Sequence, residues 1–310
     1  MTALRQRRDR PALAVVGGRL CTELIDVTSD LTALDSSGFW AVVLPFDGAP
    51  ICARFADVRA ARPWPGRPWE GPQPHEWTSS LDQDEFVAGV ESIRADIAAG
   101  DVYQVNLTRR LRARLRPDAD NDVAALGAAL ARGNPAPYSA VVRIPSIGVE
   151  LASASPERFL SRDRNVVRSS PIKGTAADAD HFLPKDRAEN VMIVDLVRND
   201  LGRVCEWGSV QVPDLMAVEE HPGLVHLVST VEGRLRSECG WADAIAATFP
   251  PGSVTGAPKI AALERIRQLE TEPRGIYCGA IGWVDADRQQ GDLNVAIRTF
   301  WMEGDELNFG

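Results

Sequence analysis

The chain has no long basic run. RQRRDR at residues 5–10 is short, and 34 Lys and Arg are outnumbered by 43 Asp and Glu for a net charge of −9. Nucleic acid and anionic membrane surfaces both demand a net basic face to neutralise phosphate, so no nucleic acid and no membrane is expected as a partner. A small anionic ligand stays open, because a pocket can be basic inside an acidic protein. Cysteine is also scarce: Cys21, Cys52, Cys205, Cys239 and Cys278 are odd in number and widely spaced, with no CxxC pair. That argues against a disulfide framework or a zinc site and points to a reducing cytoplasm. No stretch approaches the ~20 apolar residues of a membrane span. The opening MTALRQRRDRPALAVVGGRLC imitates a secretory leader, yet its apolar run ALAVV ends at Gly17, short of the ~7–15 residues a leader needs. No internal repeat of ~20–50 residues is present.

What the chain does have is 45% hydrophobic residues, enough for the core of one large domain or two small ones. The expected boundary is ARPWPGRPWEGPQPHEWT at residues 61–78, where Pro and Trp alternate and neither a helical nor a strand period can be read. Residues 1–78 then form a short N-terminal strand region and linker, and residues 79–310 the main domain. Ahead of the linker, GFWAVVLPF and APICARFADV read as paired strands. After it, LDQDEFVAGVESIRADIAAGD places Phe86, Val90, Ile93 and Ile97 at helical spacing with Gly100 as the stop. VYQVNLTRRLRARL alternates as a strand, DVAALGAALARGN is a helix ended by Gly133, and YSAVVRI, SIGVELAS, RFLSR and NVVRSS read as successive strands. LPKDRAENVMIVDLVRNDLG, GWADAIAATF and PKIAALERIRQLE follow as helices, with SVQVPDL, LVHLVSTVEGRL, GIYCGAIGWVD and LNVAIRTFWME as strands. Strands and helices come in blocks, which predicts an α+β fold of antiparallel sheets with helices packed outside.

Several stretches carry chemistry, each beside a blander reading. FPPGSVTGAPKI (249–260) resembles a phosphate loop, but Lys259 is out of register for a Walker A lysine. What survives is a Gly-rich loop with Pro258 at the first helical position, whose free N–H groups can face a carboxylate; an ordinary helix start is the alternative. Asp186 and Glu189, three apart on one helix face, can approach a hard cation, or belong to a solvated face of weak ion pairs. Glu157 enters a strand, and a buried carboxyl there has a raised pKa and becomes a proton donor; surface exposure is the default. His226 sits in an apolar alternation, where a satisfied core histidine is usual. Lys173, in PIKGTA where the backbone is expected to turn tightly, becomes a nucleophile if desolvation or a neighbouring cation lowers its pKa, and is otherwise a surface lysine.

Taken in order, YQVNL, SPERF, PIKGT, KDRAEN, IVDLVRNDLGRV, HLVSTVEGRL, PPGSVTGAPK, YCGAIGW and AIRT resemble the chorismate-utilising enzymes over about residues 80–303. The resemblance is strongest to the aminodeoxychorismate synthase branch, with anthranilate synthase component I as the runner-up. It implies layered antiparallel sheets with helices outside, and a main domain that binds chorismate. It also implies amination of chorismate by ammonia on the route to 4-aminobenzoate and folate. In that branch the PIKGT lysine, here Lys173, attacks C2 of chorismate while the C4 hydroxyl departs. Glu157 matches the glutamate that donates the proton, and His226 would lie near the C4 oxygen. Glu189 resembles a Mg²⁺ ligand and Asp186 a supporting carboxylate. Tyr277 and Arg298 match positions that bind a substrate carboxylate, while Gly174, Thr175, Ser253 and Gly256 would supply backbone and hydroxyl donors. Gln104 stands where water-using relatives carry an activating lysine, and an amide cannot act as a base at neutral pH, which favours ammonia over water. No glutaminase motif is visible, so the ammonia is expected from a separate glutamine amidotransferase subunit. NPAPYSA, with Asn134, Pro135, Pro137 and Tyr138, is similar to a segment lining a tryptophan pocket in relatives. Two departures from the pattern are a short region before residue 80 and an end at ELNFG, ahead of the segment that carries the family's second metal glutamate. They leave open a second class of reading, a chorismate-binding or amidotransferase-partner module without catalysis.

Overall fold

The computed structural model describes residues 9–64, 66, 68–116, 119–221 and 223–310. Only Asp9 and Arg10 of the RQRRDR run fall inside it, and Pro65 and Arg67 of the Pro/Trp segment lie outside the described residues. The chain is α+β: one large antiparallel sheet and a small two-stranded one, with helices packed around them. Five helices, labelled in chain order, are α1 (Gln83–Ala99), α2 (Val123–Gly133), α3 (Pro184–Gly202), α4 (Trp241–Thr248) and α5 (Lys259–Leu269). None is long and apolar enough to cross a membrane among the described residues.

The apolar run that imitates a leader is a strand, Leu13–Val16, paired with Arg19–Thr28 on one side and Tyr138–Ile144 on the other. GFWAVVLPF and APICARFADV form the expected pair, Phe39–Leu44 against Ile51–Ala60, and Phe39–Leu44 pairs in turn with Ala280–Asp285. Residues before position 78 thus contribute strands to the same sheet as residues after it. Helix α1 begins with the Asp82 side chain accepting from the Glu85 N–H and ends at Gly100, whose φ of 86° is the left-handed stop that glycine adopts without strain. Its periodicity overstated burial: Ile93 is buried, but Val90 and Ile97 are exposed.

Two expected strands are each divided. VYQVNLTRRLRARL gives Gln104–Val105 and Leu111–Arg114, which join different sheets. LNVAIRTFWME gives Gln290–Val295 and Thr299–Glu303, interrupted where Arg298 takes a positive φ of 50°. Three apolar cores result. One gathers α3 and α4 through Ile193, Leu201 and Trp241 against Leu160, Val231 and Leu293. A second fills the space between strands with Val142, Leu151, Ile281 and Trp301. The third lies under α2, where Val123 and Leu126 meet Leu13 and Met302. The first core matters most for function, because it packs α3 against Leu224–Arg234, the strand that pairs with the one carrying Lys173.

Candidate active site

Lys173 lies on the strand Ile172–Ala176, not in the tight turn that Gly-Thr suggested. The strand pairs with Leu224–Arg234, with Ile172 opposite Val228 and Thr175 opposite His226, so one extra residue sits between the two pairings. This is a bulge, which kinks a strand and re-aims the side chains at it. Gly174 makes it feasible: its φ is +101°, and a Cβ there would stand 3.1 Å from both Asp186 Cβ and Leu227 Cδ1. The bulge directs Lys173 Nζ onto the backbone carbonyl of Ser253, 3.0 Å away.

Glu157 approaches the same residue from another direction. It precedes the strand Arg158–Asp163, and its backbone is held by Val295 N–H donating to its carbonyl at 3.0 Å. Only 4% of it is exposed. Loss of hydration pushes its carboxyl up from 4.5 to about 7, outweighing the opposing pull of the Ser253 hydroxyl, the Lys173 charge and the Ile172 N–H. A carboxyl at that value is half protonated near neutrality, the condition for a general acid. The Ser253 side chain therefore serves Glu157 while its carbonyl serves Lys173.

Ser253 belongs to the one-turn helix Gly252–Val254, followed by Gly256–Ala257 pairing with Gln104–Val105. A Cβ on Gly256 would fall 2.1 Å from the Gln104 carbonyl oxygen, so only glycine permits this approach. Pro258 is the N-cap of α5, one position earlier than the sequence suggested. Lys259 is not available to a ligand: its ammonium donates to Asp200 Oδ2 at 2.6 Å and to the Thr248 carbonyl at 2.9 Å. Asn106 donates from Nδ2 to the Ser253 carbonyl at 2.6 Å, and Gln104 Nε2 donates to Asn106 Oδ1 at 3.3 Å. Among the described residues the buried Oε1 of Gln104 meets no donor.

Helix α3 and the strand Leu224–Arg234 close the other side. His226 is buried, and its Nδ1 shares a hydrogen bond of 2.9 Å with the Thr175 hydroxyl. Asn190, 1% exposed, donates to the Lys173 carbonyl at 3.4 Å and the Leu227 carbonyl at 3.3 Å, and accepts from Ser229 at 2.6 Å. Asp186 and Glu189 lie on the half-buried face of α3. Asp186 accepts from the Leu183 N–H at 2.8 Å with one oxygen, which caps its own helix. Among the described residues Glu189 forms no ion pair, and no group of three or more His, Cys, Asp or Glu could hold a metal ion.

Tyr277 and Arg298 are brought near Glu157 by the backbone. Cys278 N–H donates to the Ala296 carbonyl, and Ala154 N–H donates to the Arg298 carbonyl, both at 3.0 Å, next to the Val295–Glu157 bond. Arg298 is half-buried and its guanidinium has no partner among the described residues. Burial pushes the Tyr277 phenol well above its ordinary range. Asn134 lines a cavity of about 1020 Å³ with Trp64, Gly127 and Val141, away from Lys173. Tyr138 is covered by the Arg158 guanidinium, 5.1 Å from its ring centroid. Sequence reasoning missed two amides, the half-buried Asn106 and the buried Asn190. Both stand inside quoted motifs, YQVNL and KDRAEN, and that was the only signal.

Comparison with known proteins identifies the family and the fold. The family described as chorismate binding enzyme matches residues 54–310. The chain is 42% identical over 235 residues to aminodeoxychorismate synthase component 1 of Klebsiella aerogenes, covering 72% of this chain and 51% of that protein. It is 43% identical over 242 residues to an anthranilate synthase component 1 of Haloarcula marismortui, covering 74% and 48%. The chain thus spans about half the length of these curated relatives. Among solved structures, anthranilate synthase component I from Streptococcus pneumoniae superposes with a TM-score of 0.73 at 27% identity, covering 96% of this chain and 84% of that one. With a matching family over most of its length and the same layered fold, this chain belongs to the chorismate binding enzyme family.

Proposed function

We propose that the chain aminates chorismate with ammonia to 4-amino-4-deoxychorismate, with Lys173 as a covalent catalyst. One observation carries the reading: an acid pushed up to about 7, Glu157, and an inward lysine, Lys173, meet on one residue, Ser253. The Lys173 amine bonds to C2 of the ring, the ring electrons shift, and the C4 hydroxyl leaves as water with the proton of Glu157. Ammonia then bonds to C4, the C2–N bond breaks, and Lys173 departs as the free amine with its electron pair. The new C4 ammonium returns a proton to the Glu157 carboxylate, which restores the acid. The buried Gln104 Oε1, which lacks a donor among the described residues, suits ammonia as the incoming group. Arg298 offers a fork of donors to a substrate carboxylate, with Tyr277 beside it. His226, held through Thr175, faces the departing oxygen.

Glu189 and Asp186 would hold Mg²⁺ through hard oxygen donors, with water and substrate completing its shell. Glu189 is uncommitted and Asp186 keeps one carboxylate oxygen outside its cap, so the pair fits such an ion. The cation would neutralise the substrate's ring carboxylate. Ammonia would come from a separate glutamine amidotransferase subunit, in keeping with the "component 1" in the relatives' names.

Anthranilate synthesis is the second reading, favoured by the 43% identity to the Haloarcula protein. Lys173 speaks against it, since anthranilate synthases usually show alanine there. Incubation with chorismate, Mg²⁺ and ammonium, followed by chromatography, separates the two. The expected product needs a lyase to become 4-aminobenzoate. Fluorescent anthranilate with pyruvate, or no consumption of chorismate, overturns the proposal.

A further inference from the structure

Lys173 and Asn106 donate to the same oxygen. The Ser253 carbonyl accepts Lys173 Nζ at 3.0 Å and Asn106 Nδ2 at 2.6 Å. A carbonyl oxygen has two lone pairs, and this one has both engaged. Asn106 is itself anchored on three further sides. Its N–H donates to the Thr255 carbonyl at 2.8 Å, its carbonyl accepts from Arg274 Nη2 at 2.7 Å, and its Oδ1 accepts from Gln104. Arg274 is 3% exposed. Its other terminal nitrogen donates to the Val254 carbonyl at 2.8 Å, and the group pairs with Glu270 at 2.7 Å. One buried guanidinium thus fastens the Asn106 backbone and the Ser253–Val254 turn to each other.

We propose that Asn106 is a positioning residue for Lys173: by filling one lone pair of the Ser253 carbonyl from a fixed direction, it confines the lysine amine to the other. The proposal rests on the covalent role of Lys173 given above. A long, flexible side chain with four rotatable bonds needs such a guide, because a nucleophile displaced by ~1 Å loses ~10²-fold in rate. The influence of Asn106 passes entirely through the acceptor it shares. Because Ser253 also holds Glu157 through its hydroxyl, fixing this residue fixes the distance between nucleophile and acid as well.

The test uses Asn106→Asp, which keeps the shape and removes the donor, beside Asn106→Ala. With chorismate and ammonium, both variants should lose about 10–100-fold in kcat with KM changed less than about twofold, because geometry of attack and not substrate binding is disturbed. The second readout needs no substrate. The chain has three lysines, Lys173, Lys185 and Lys259, so protein grown with lysine labelled at Cε with ¹³C gives three resolvable resonances. In both variants the Lys173 resonance should shift and broaden while the other two stay in place. An unchanged Lys173 resonance, or an Asp variant with full kcat, overturns the proposal. Should the variants fail to fold, the unsubstituted protein still decides: one Asn106 Nδ2 proton must exchange slowly with solvent, and rapid exchange of both overturns it. If the unsubstituted chain does not aminate chorismate but the resonance shifts, the function falls and the positioning role stands.

Discussion

Lys173 and Lys259 both turn inward, and their surroundings assign them opposite tasks. Lys259 meets a carboxylate, Asp200, and a backbone carbonyl, with side chains 15% and 9% exposed in the pair. That arrangement ties the start of α5 to the end of α3. Lys173 meets one carbonyl already shared with Asn106, and the acid held by the same Ser253, Glu157, is half neutral near pH 7. The third lysine, Lys185, is exposed on α3. The lesson is that the task of an inward lysine follows from the groups it meets: a carboxylate and a carbonyl hold Lys259, whereas Lys173 meets a carbonyl that it shares.

The largest effect that could break this comparison comes from exchanging each lysine for alanine. Lys173→Ala should abolish amination, below ~10⁻³ of the original kcat as expected for loss of a nucleophile, with chorismate binding retained and little change in thermal midpoint. Lys259→Ala should do the reverse. It leaves Asp200 buried without its cation, which costs about 3 kcal/mol by denaturant titration, while turnover per folded molecule changes little. Unchanged turnover in Lys173→Ala removes the covalent role; equal stability losses in the two variants erase the contrast.

Much of this site was legible from residue type and order, and little of its geometry was. PIKGT and SPERF pointed to Lys173 and Glu157, but the bulge at Gly174 depends on the partner strand's register, which a single strand's pattern does not carry. Ser253 joins groups 80 and 147 residues away in sequence, through its carbonyl to Lys173 and Asn106. No local period reports a contact of that range. The α+β architecture and most strands followed from alternation and turn residues. The divided strands did not, because Arg298 interrupts an unbroken apolar alternation with a positive φ that nothing in LNVAIRTFWME announces. The pairing of Asp186 and Glu189 on one face of α3 was readable from spacing, yet spacing could not say that Asp186 would cap its own helix.

Glu157→Gln sharpens the comparison from the acid's side. Amination should fall by ~10²–10⁴-fold, the range for loss of a general acid. In the unsubstituted protein, kcat should decline as pH rises through about 7, where Glu157 loses its proton. Stability moves the opposite way in the variant. Glu157 has a folded value of about 7 against an ordinary 4.5, so the folded state holds an extra proton between those values. Its stability is therefore fullest below pH 4.5 and lost as pH rises through 7. At pH 8 the glutamine variant should be more stable than the original by on the order of 3 kcal/mol. Matching denaturation curves at pH 8 would mean Glu157 is not desolvated.

The smallest effect tests Glu189, the uncommitted carboxylate of α3. Asp186 gives one oxygen to the Leu183 N–H, so part of its worth is structural, whereas Glu189 has no such tie among the described residues. Asp186→Ala should therefore lower stability by about 1 kcal/mol, the usual cost of a lost helix cap, and Glu189→Ala should leave it unchanged within about 0.5 kcal/mol. Both should raise the Mg²⁺ concentration needed for half-maximal turnover, Glu189→Ala by about tenfold or more because it supplies a full ligand. Calorimetric titration with Mg²⁺ in the absence of chorismate checks the binding arm separately. Should Glu189→Ala keep the original Mg²⁺ dependence, this face of α3 is only a solvated flank of the helix, and the ion-pair reading of the same spacing prevails.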